Sequence, residues 1–116
     1  MRRTVSIKKN HEFRRLYQKG KSAVSPCLAV YCRRSRRPVN RLGLTVGTKL
    51  GKAVVRNRVR RRLREAYRVN EERFSTGWDI VVVARVKAAH VPYRELERSL
   101  LRLSDKLGLL RREDRP

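Results

Sequence analysis

The chain has 116 residues, 40% of them hydrophobic, which suits one modest core and leaves no room for two ordinary domains. Lys and Arg number 32 against 10 Asp and Glu, a net charge of +22. Charge on this scale opposes compaction, and phosphates that neutralise it are the commonest reason for a fold to carry it. The longest apolar run, Ile80-Val81-Val82-Val83-Ala84, is far too short for a membrane span, and no apolar segment follows the basic start as a secretory signal requires. A cytoplasmic protein is expected.

The charge is also lopsided. Residues 1–64 hold 21 Lys and Arg against a single acid, Glu12, whereas residues 65–116 hold 11 against nine acids. Arg outnumbers Lys 24 to 8. Guanidinium forks match phosphate oxygens and stack on bases, although biased codon usage would raise Arg as well.

In chain order, residues 1–9 read as a loose basic arm. Asn10 is a candidate cap for a helix over 11–19, ended by Gly20. Phe13, Leu16 and Tyr17 fall on one stripe of it. Residues 26–34 read as a strand, with Leu28, Val30 and Cys32 on one face and Cys27, Ala29 and Tyr31 on the other. Both cysteines are expected as buried, reduced thiols. A basic loop, 33–41, leads to a second strand over 41–47, and the two are candidates for an antiparallel hairpin. The stretch before Pro26 is a candidate for one more short strand.

A Gly-bracketed basic turn, 47–52, precedes a long helix over 53–69. Val55, Val59, Leu63, Ala66 and Tyr67 make its apolar stripe. Residues 78–85 form a strand whose apolar run does not alternate, which predicts a central strand covered on both faces. A last helix runs from Pro92 to Leu107 with Leu96, Leu100, Leu103 and Leu107 inward. Residues 109–116 read as a frayed tail. The whole is one α+β sandwich, in the order α-β-β-α-β-α, with at least three strands.

The long helix is the most informative segment. On a wheel of about 100° per residue, Asn57, Arg61, Arg64 and Arg68 lie opposite the apolar stripe. Arg56 and Arg60 border it on one side, Arg58 and Arg62 on the other. Like charges at i, i+4 each destabilise a helix by a few tenths of a kcal/mol. Only Glu65 is within reach to offset them, so several of these Arg would relax only against a polyanion; the alternative is a solvated basic helix face. Phe13, Tyr17 and Tyr31, interleaved with basic residues, suit single-stranded nucleic acid, on which every base offers a ring face. The alternative is that Phe13 and Tyr17 simply pack their helix on the sheet.

Catalytic patterns are thin. His11 and His90 have no supporting partners, no paired carboxylates occur in the basic half, and Gly43, Gly47 and Gly51 lack the phosphate-loop spacing. A ribosomal RNA-binding protein, an architectural DNA-binding protein and a protein-only nuclease are the competing classes.

The ordered residues Lys49-x-Gly-Lys-Ala-Val-Val-Arg-Asn-Arg-Val-x-Arg-x-Leu-Arg-Glu-Ala-Tyr-Arg resemble the signature of the bacterial ribonuclease P protein family. The resemblance extends to His11-Glu12-Phe13-x-x-x-Tyr17, the Tyr31 strand, Arg41 to Gly47, Asp79 to Arg85 and the Tyr93-x-Glu-Leu helix, about residues 5–107 in all. It implies a small α+β sandwich with about four strands and a left-handed βαβ crossover, like the second domain of ribosomal protein S5. Right-handed crossovers are the general default.

The resemblance further implies a large catalytic RNA as partner and precursor tRNA as substrate, with no membrane or DNA partner. The RNA would hold the catalytic Mg²⁺ and the protein none, so the protein would have no catalytic residues of its own. Arg56, Asn57, Arg58, Arg60, Arg61 and Arg64 would face the catalytic RNA. Phe13, Tyr17 and Tyr31 would line the cleft for the 5′ leader, with Lys49, Lys52 and Arg85 at or beside it. Phe13 and Tyr17 would then both pack and present ring faces. Thr48, where the family often has Lys, and Val86-Lys87, in place of a basic-then-Pro pattern, depart from it.

Overall fold

The computed structural model describes residues 4–111. Three helices and five strands follow one another as β1 (Thr4–Ser6), α1 (Asn10–Lys19), β2 (Lys21–Val24), β3 (Leu28–Arg34), β4 (Asn40–Val46), α2 (Ala53–Asn70), β5 (Trp78–Ala84) and α3 (Tyr93–Lys106). The α+β class is as expected. The sheet has five strands rather than about four, in the order β1-β4-β5-β3-β2.

The strand without alternation, β5, takes the middle. Ile80, Val82 and Ala84 join the main core, while Val81 belongs to a second cluster on the opposite face. Such a strand needs a neighbour on each edge and cover on each side. It therefore inserts between β3 and β4, pairing antiparallel with the first and parallel with the second. The expected β3–β4 hairpin does not form. Helix α2 instead connects the parallel neighbours β4 and β5.

The helices divide between the two faces. Val59, Leu63, Ala66 and Tyr67 of α2 and Leu96, Leu100 and Leu103 of α3 cover the side of Leu28, Val30 and Cys32. Burying a Val or Leu side chain contributes about 1.5–3 kcal/mol, which outweighs repulsion of a few tenths per arginine pair on the outside of α2. Helix α1 alone covers the other face, where Leu16 and half-buried Phe13 meet Ile7, Val81 and Tyr31.

Several local expectations are corrected. From residue 4 the N-terminal segment is no loose arm. β1 pairs parallel with β4, Thr4 Oγ1 lies 2.8 Å from Tyr67 Oη, and Thr4 also donates to Glu71. Residues 1–3 of the expected arm lie outside the described part. The tail from 109 does not fray at its start. Leu109 and Leu110 are buried, and Leu110 bridges to Phe74. Residues 112–116 again lie outside the described part.

Asn10 opens α1 as its first residue, and Lys9 occupies the cap position without a side-chain bond. Cys27 precedes β3 and turns into the same core as Cys32, because alternation begins only at Leu28. Both thiols are free and buried.

Candidate nucleic-acid interface

Two surfaces collect the residues of interest, one on each side of the sheet. The first is the outer face of α2. Gly51 lies just before its Lys52 cap, with φ +132°, a conformation side-chain-bearing residues rarely adopt, and its carbonyl accepts from Arg56 Nε at 3.2 Å. Asn57, Arg61 and Arg64 are exposed, and Arg56, Arg58 and Arg60 are half-buried along the flanks, as the wheel predicts. Arg60 donates to Asn57 Oδ1 at 2.9 Å, holding the amide on the arginine side. Arg68 pairs with Glu65 at 2.7 Å. Among the described residues, Arg56, Arg58, Arg60, Arg61 and Arg64 have no carboxylate partner. Arg58 Nε is shielded from solvent and has no acceptor among the described residues.

The second surface is a groove beside α1. Asn10, Phe13, Arg14 and Tyr17 form one wall, and Leu44, Thr45 and Val46 of β4 the other. Tyr17 is 38% exposed, and its hydroxyl shares a 2.8 Å hydrogen bond with Thr45 Oγ1. Its ring meets Tyr31 edge-on with centroids 5.0 Å apart and lies 6.5 Å from Phe13. The three rings thus form a contiguous aromatic chain in which Tyr31 supports Tyr17 from the sheet.

Lys49, Lys52 and Arg85 are exposed but do not line this groove. They sit beyond the C-terminal ends of the parallel pair β4 and β5, the same end of the sheet as Thr45 and Val46. Arg85 is held there by a 2.9 Å bond from its guanidinium to the Ser25 carbonyl. Thr48 and Val86 are exposed on the adjoining turns. Sequence reasoning missed Arg14, Leu44 and Thr45. Arg14 had a usable signal, since it follows Phe13 on a helix whose stripe was legible. Leu44 and Thr45 had none, because which part of β4 meets α1 is a tertiary matter.

At the other flank of α1, Arg41 donates through Nε and Nη2 to Asp79 at 2.9 and 2.8 Å, and through Nη1 to Glu12. The Arg41 hydrogen bond holds the Glu12 carboxyl below the ordinary carboxylate range, and the two acids raise the Arg41 pKa, Asp79 foremost. No group of three His, Cys, Asp or Glu side chains that would hold a metal occurs among the described residues. Glu12 and Asp79, the acids nearest the groove helix, are committed to Arg41.

The family model for ribonuclease P matches residues 1–108. The chain belongs to the ribonuclease P protein family. It is 41% identical over 110 residues to the ribonuclease P protein component of Alkaliphilus metalliredigens, covering 95% of this chain and 99% of that one. The corresponding component of Natranaerobius thermophilus is 37% identical, with 97% of each chain covered. Among solved structures, the Staphylococcus aureus RNase P protein superposes with a TM-score of 0.84 at 33% identity, over 91% of this chain and 97% of that one. The Thermotoga maritima RNase P protein gives 0.77 at 31% identity, over 84% and 92%.

A member of this family is a protein subunit of the ribonuclease P ribonucleoprotein, which removes 5′ leaders from precursor tRNA, and is not the catalytic part. Its partners are the ribonuclease P RNA and precursor tRNA. No helix among the described residues is long and apolar enough to cross a membrane.

Proposed function

We propose that the two surfaces divide the work of the subunit. The outer face of α2, with Arg56, Asn57, Arg58, Arg60, Arg61 and Arg64, binds the catalytic RNA. The aromatic groove of Phe13, Tyr17 and Tyr31, with Lys49, Lys52 and Arg85 at the same end of the sheet, binds the single-stranded 5′ leader. The observation that carries this reading is their placement on opposite faces of one sheet, with arginines lacking a carboxylate partner among the described residues on one and a partly exposed aromatic chain on the other.

The physical consequence is direct. RNA and substrate repel each other as polyanions, and a subunit of net charge +22 at their junction screens that repulsion. Stacking, worth about 1–3 kcal/mol per base, favours precursor over mature tRNA with little dependence on sequence. The protein supplies positioning and charge. Mg²⁺ is held by the RNA, and the holoenzyme works in the cytoplasm.

The test is leader cleavage at low, near-physiological Mg²⁺ by a bacterial ribonuclease P RNA, by this protein, and by both. Cleavage by the mixture alone is the expected result. Cleavage by the protein alone would overturn the noncatalytic assignment. A mixture that fails with an RNA proven active at high Mg²⁺ would overturn the reading altogether.

A further inference from the structure

Helix α1 lies across the open face of the sheet and separates two flanks. The aromatic groove occupies one, beside Thr45 and Val46. The other holds a cavity of about 260 Å³ between α1 and the far ends of β3 and β4, lined by Arg15, Arg33, Arg34 and Arg36 around the Arg41 clamp. Glu12 and Asp79 also line it, but both are occupied by Arg41. Arg15, Arg33, Arg34 and Arg36 have no carboxylate partner among the described residues. Arg15, Arg33 and Arg36 thus bring unneutralised charge to one concavity, while the Arg34 guanidinium lies over the Trp78 ring, 5.1 Å from its centroid.

The two flanks are joined. Arg14 lines the aromatic groove and also a shallow hollow on the solvent side of α1, together with His11, Arg15, Gln18 and Lys19. Arg15 lines that hollow and also the arginine cavity. Shared side chains therefore make one basic track from the ring faces, over α1, into the cavity. The face of α2 lies on the other side of the sheet and takes no part in it.

We propose that this track carries the distal part of a long precursor leader, with its phosphates seated among Arg15, Arg33 and Arg36. The inference rests on the assignment of the aromatic groove to the proximal leader. It makes the subunit a sensor of leader length: short leaders engage only the rings, and longer ones add the arginine cavity.

The experiment compares reconstituted holoenzyme binding to precursors with leaders of about three and about twelve nucleotides, and to mature tRNA. The variant is Arg33→Gln with Arg36→Gln, since both side chains are exposed and Arg34 is kept for its stacking on Trp78 at 5.1 Å. Arg98→Gln with Arg102→Gln, exposed on α3, removes the same charge elsewhere. The expected result is a loss of about tenfold for the long leader only, with a salt slope shallower by about one to two units. The α3 variant leaves both leaders unchanged.

Equal losses for short leader, long leader and mature tRNA would overturn the inference in favour of a contact to the catalytic RNA. No loss at all would overturn it as well. Phe13→Ala with Tyr17→Ala separates the two layers of the argument. If that variant keeps the full preference for precursor over mature tRNA, the groove reading itself fails. If it loses the preference while the arginine variant binds normally, only the distal track fails.

Discussion

The Phe13 ring rests directly on Gly43. A β-carbon built at Gly43 would lie 2.6 Å from Phe13 Cε1 and 2.8 Å from Cζ, so any side chain there displaces the ring. This contact sets where α1 crosses β4 and hence how the groove opens beside it.

Gly43→Ala therefore tests the groove without removing an aromatic ring. The expected cost is about 1–3 kcal/mol of stability from overpacking, measured by urea unfolding. In a Phe13→Ala background the same substitution costs less, because the clash partner is gone. Additive losses would show that the contact does not position α1. Precursor affinity is expected to fall with Gly43→Ala in the wild-type background.

Replacing Phe13 and Tyr17 by Ala should weaken binding of precursor tRNA while leaving mature tRNA nearly unchanged. Stacking at about 1–3 kcal/mol per base sets the scale, roughly tenfold or more in affinity. Competition binding with the two tRNAs on one holoenzyme preparation reads the difference. Equal weakening of both would remove the leader from the groove.

On α2, stability and binding should move in opposite directions. Arg64 faces Arg60 and Arg68 one turn away on either side. Arg64→Gln relieves like-charge repulsion of a few tenths of a kcal/mol per pair, so the free protein should unfold at slightly higher denaturant. Affinity for the catalytic RNA should fall, with a salt slope shallower by about one unit. A variant that loses both stability and affinity would mean Arg64 supports the fold.

The Arg41 clamp predicts a pH effect. Glu12 is held below its ordinary carboxylate pKa chiefly by the Arg41 hydrogen bond. A group depressed in the folded state adds stability that is fully present above its unfolded pKa. That stability is lost as pH falls through the lower folded value. Glu12→Gln should therefore be less stable than wild type near neutrality and converge with it in acid. Parallel curves of stability against pH for the two proteins would contradict this.

Much of the α2 surface was legible in the chain alone. Val59, Leu63, Ala66 and Tyr67 are spaced for one stripe, and that spacing alone places Asn57, Arg61 and Arg64 on the outside. The unalternating run of β5 likewise declared a central strand. These are local properties, because periodicity within one element decides which of its own faces is buried.

The groove and the arginine cavity were decided by the tertiary fold. Insertion of β5 between β3 and β4 sets Arg33 opposite Asp79 and Asp79 opposite Arg41. Nothing in the spacing of these three residues announces that row. The seat of Phe13 on Gly43 and the burial of Leu109 and Leu110 likewise depend on partners distant in sequence. A short polar segment such as β1 has no periodic signal, and only the free edge of β4 makes it a strand. Local patterning thus determined which residues face outward, and long-range strand pairing decided which of them meet.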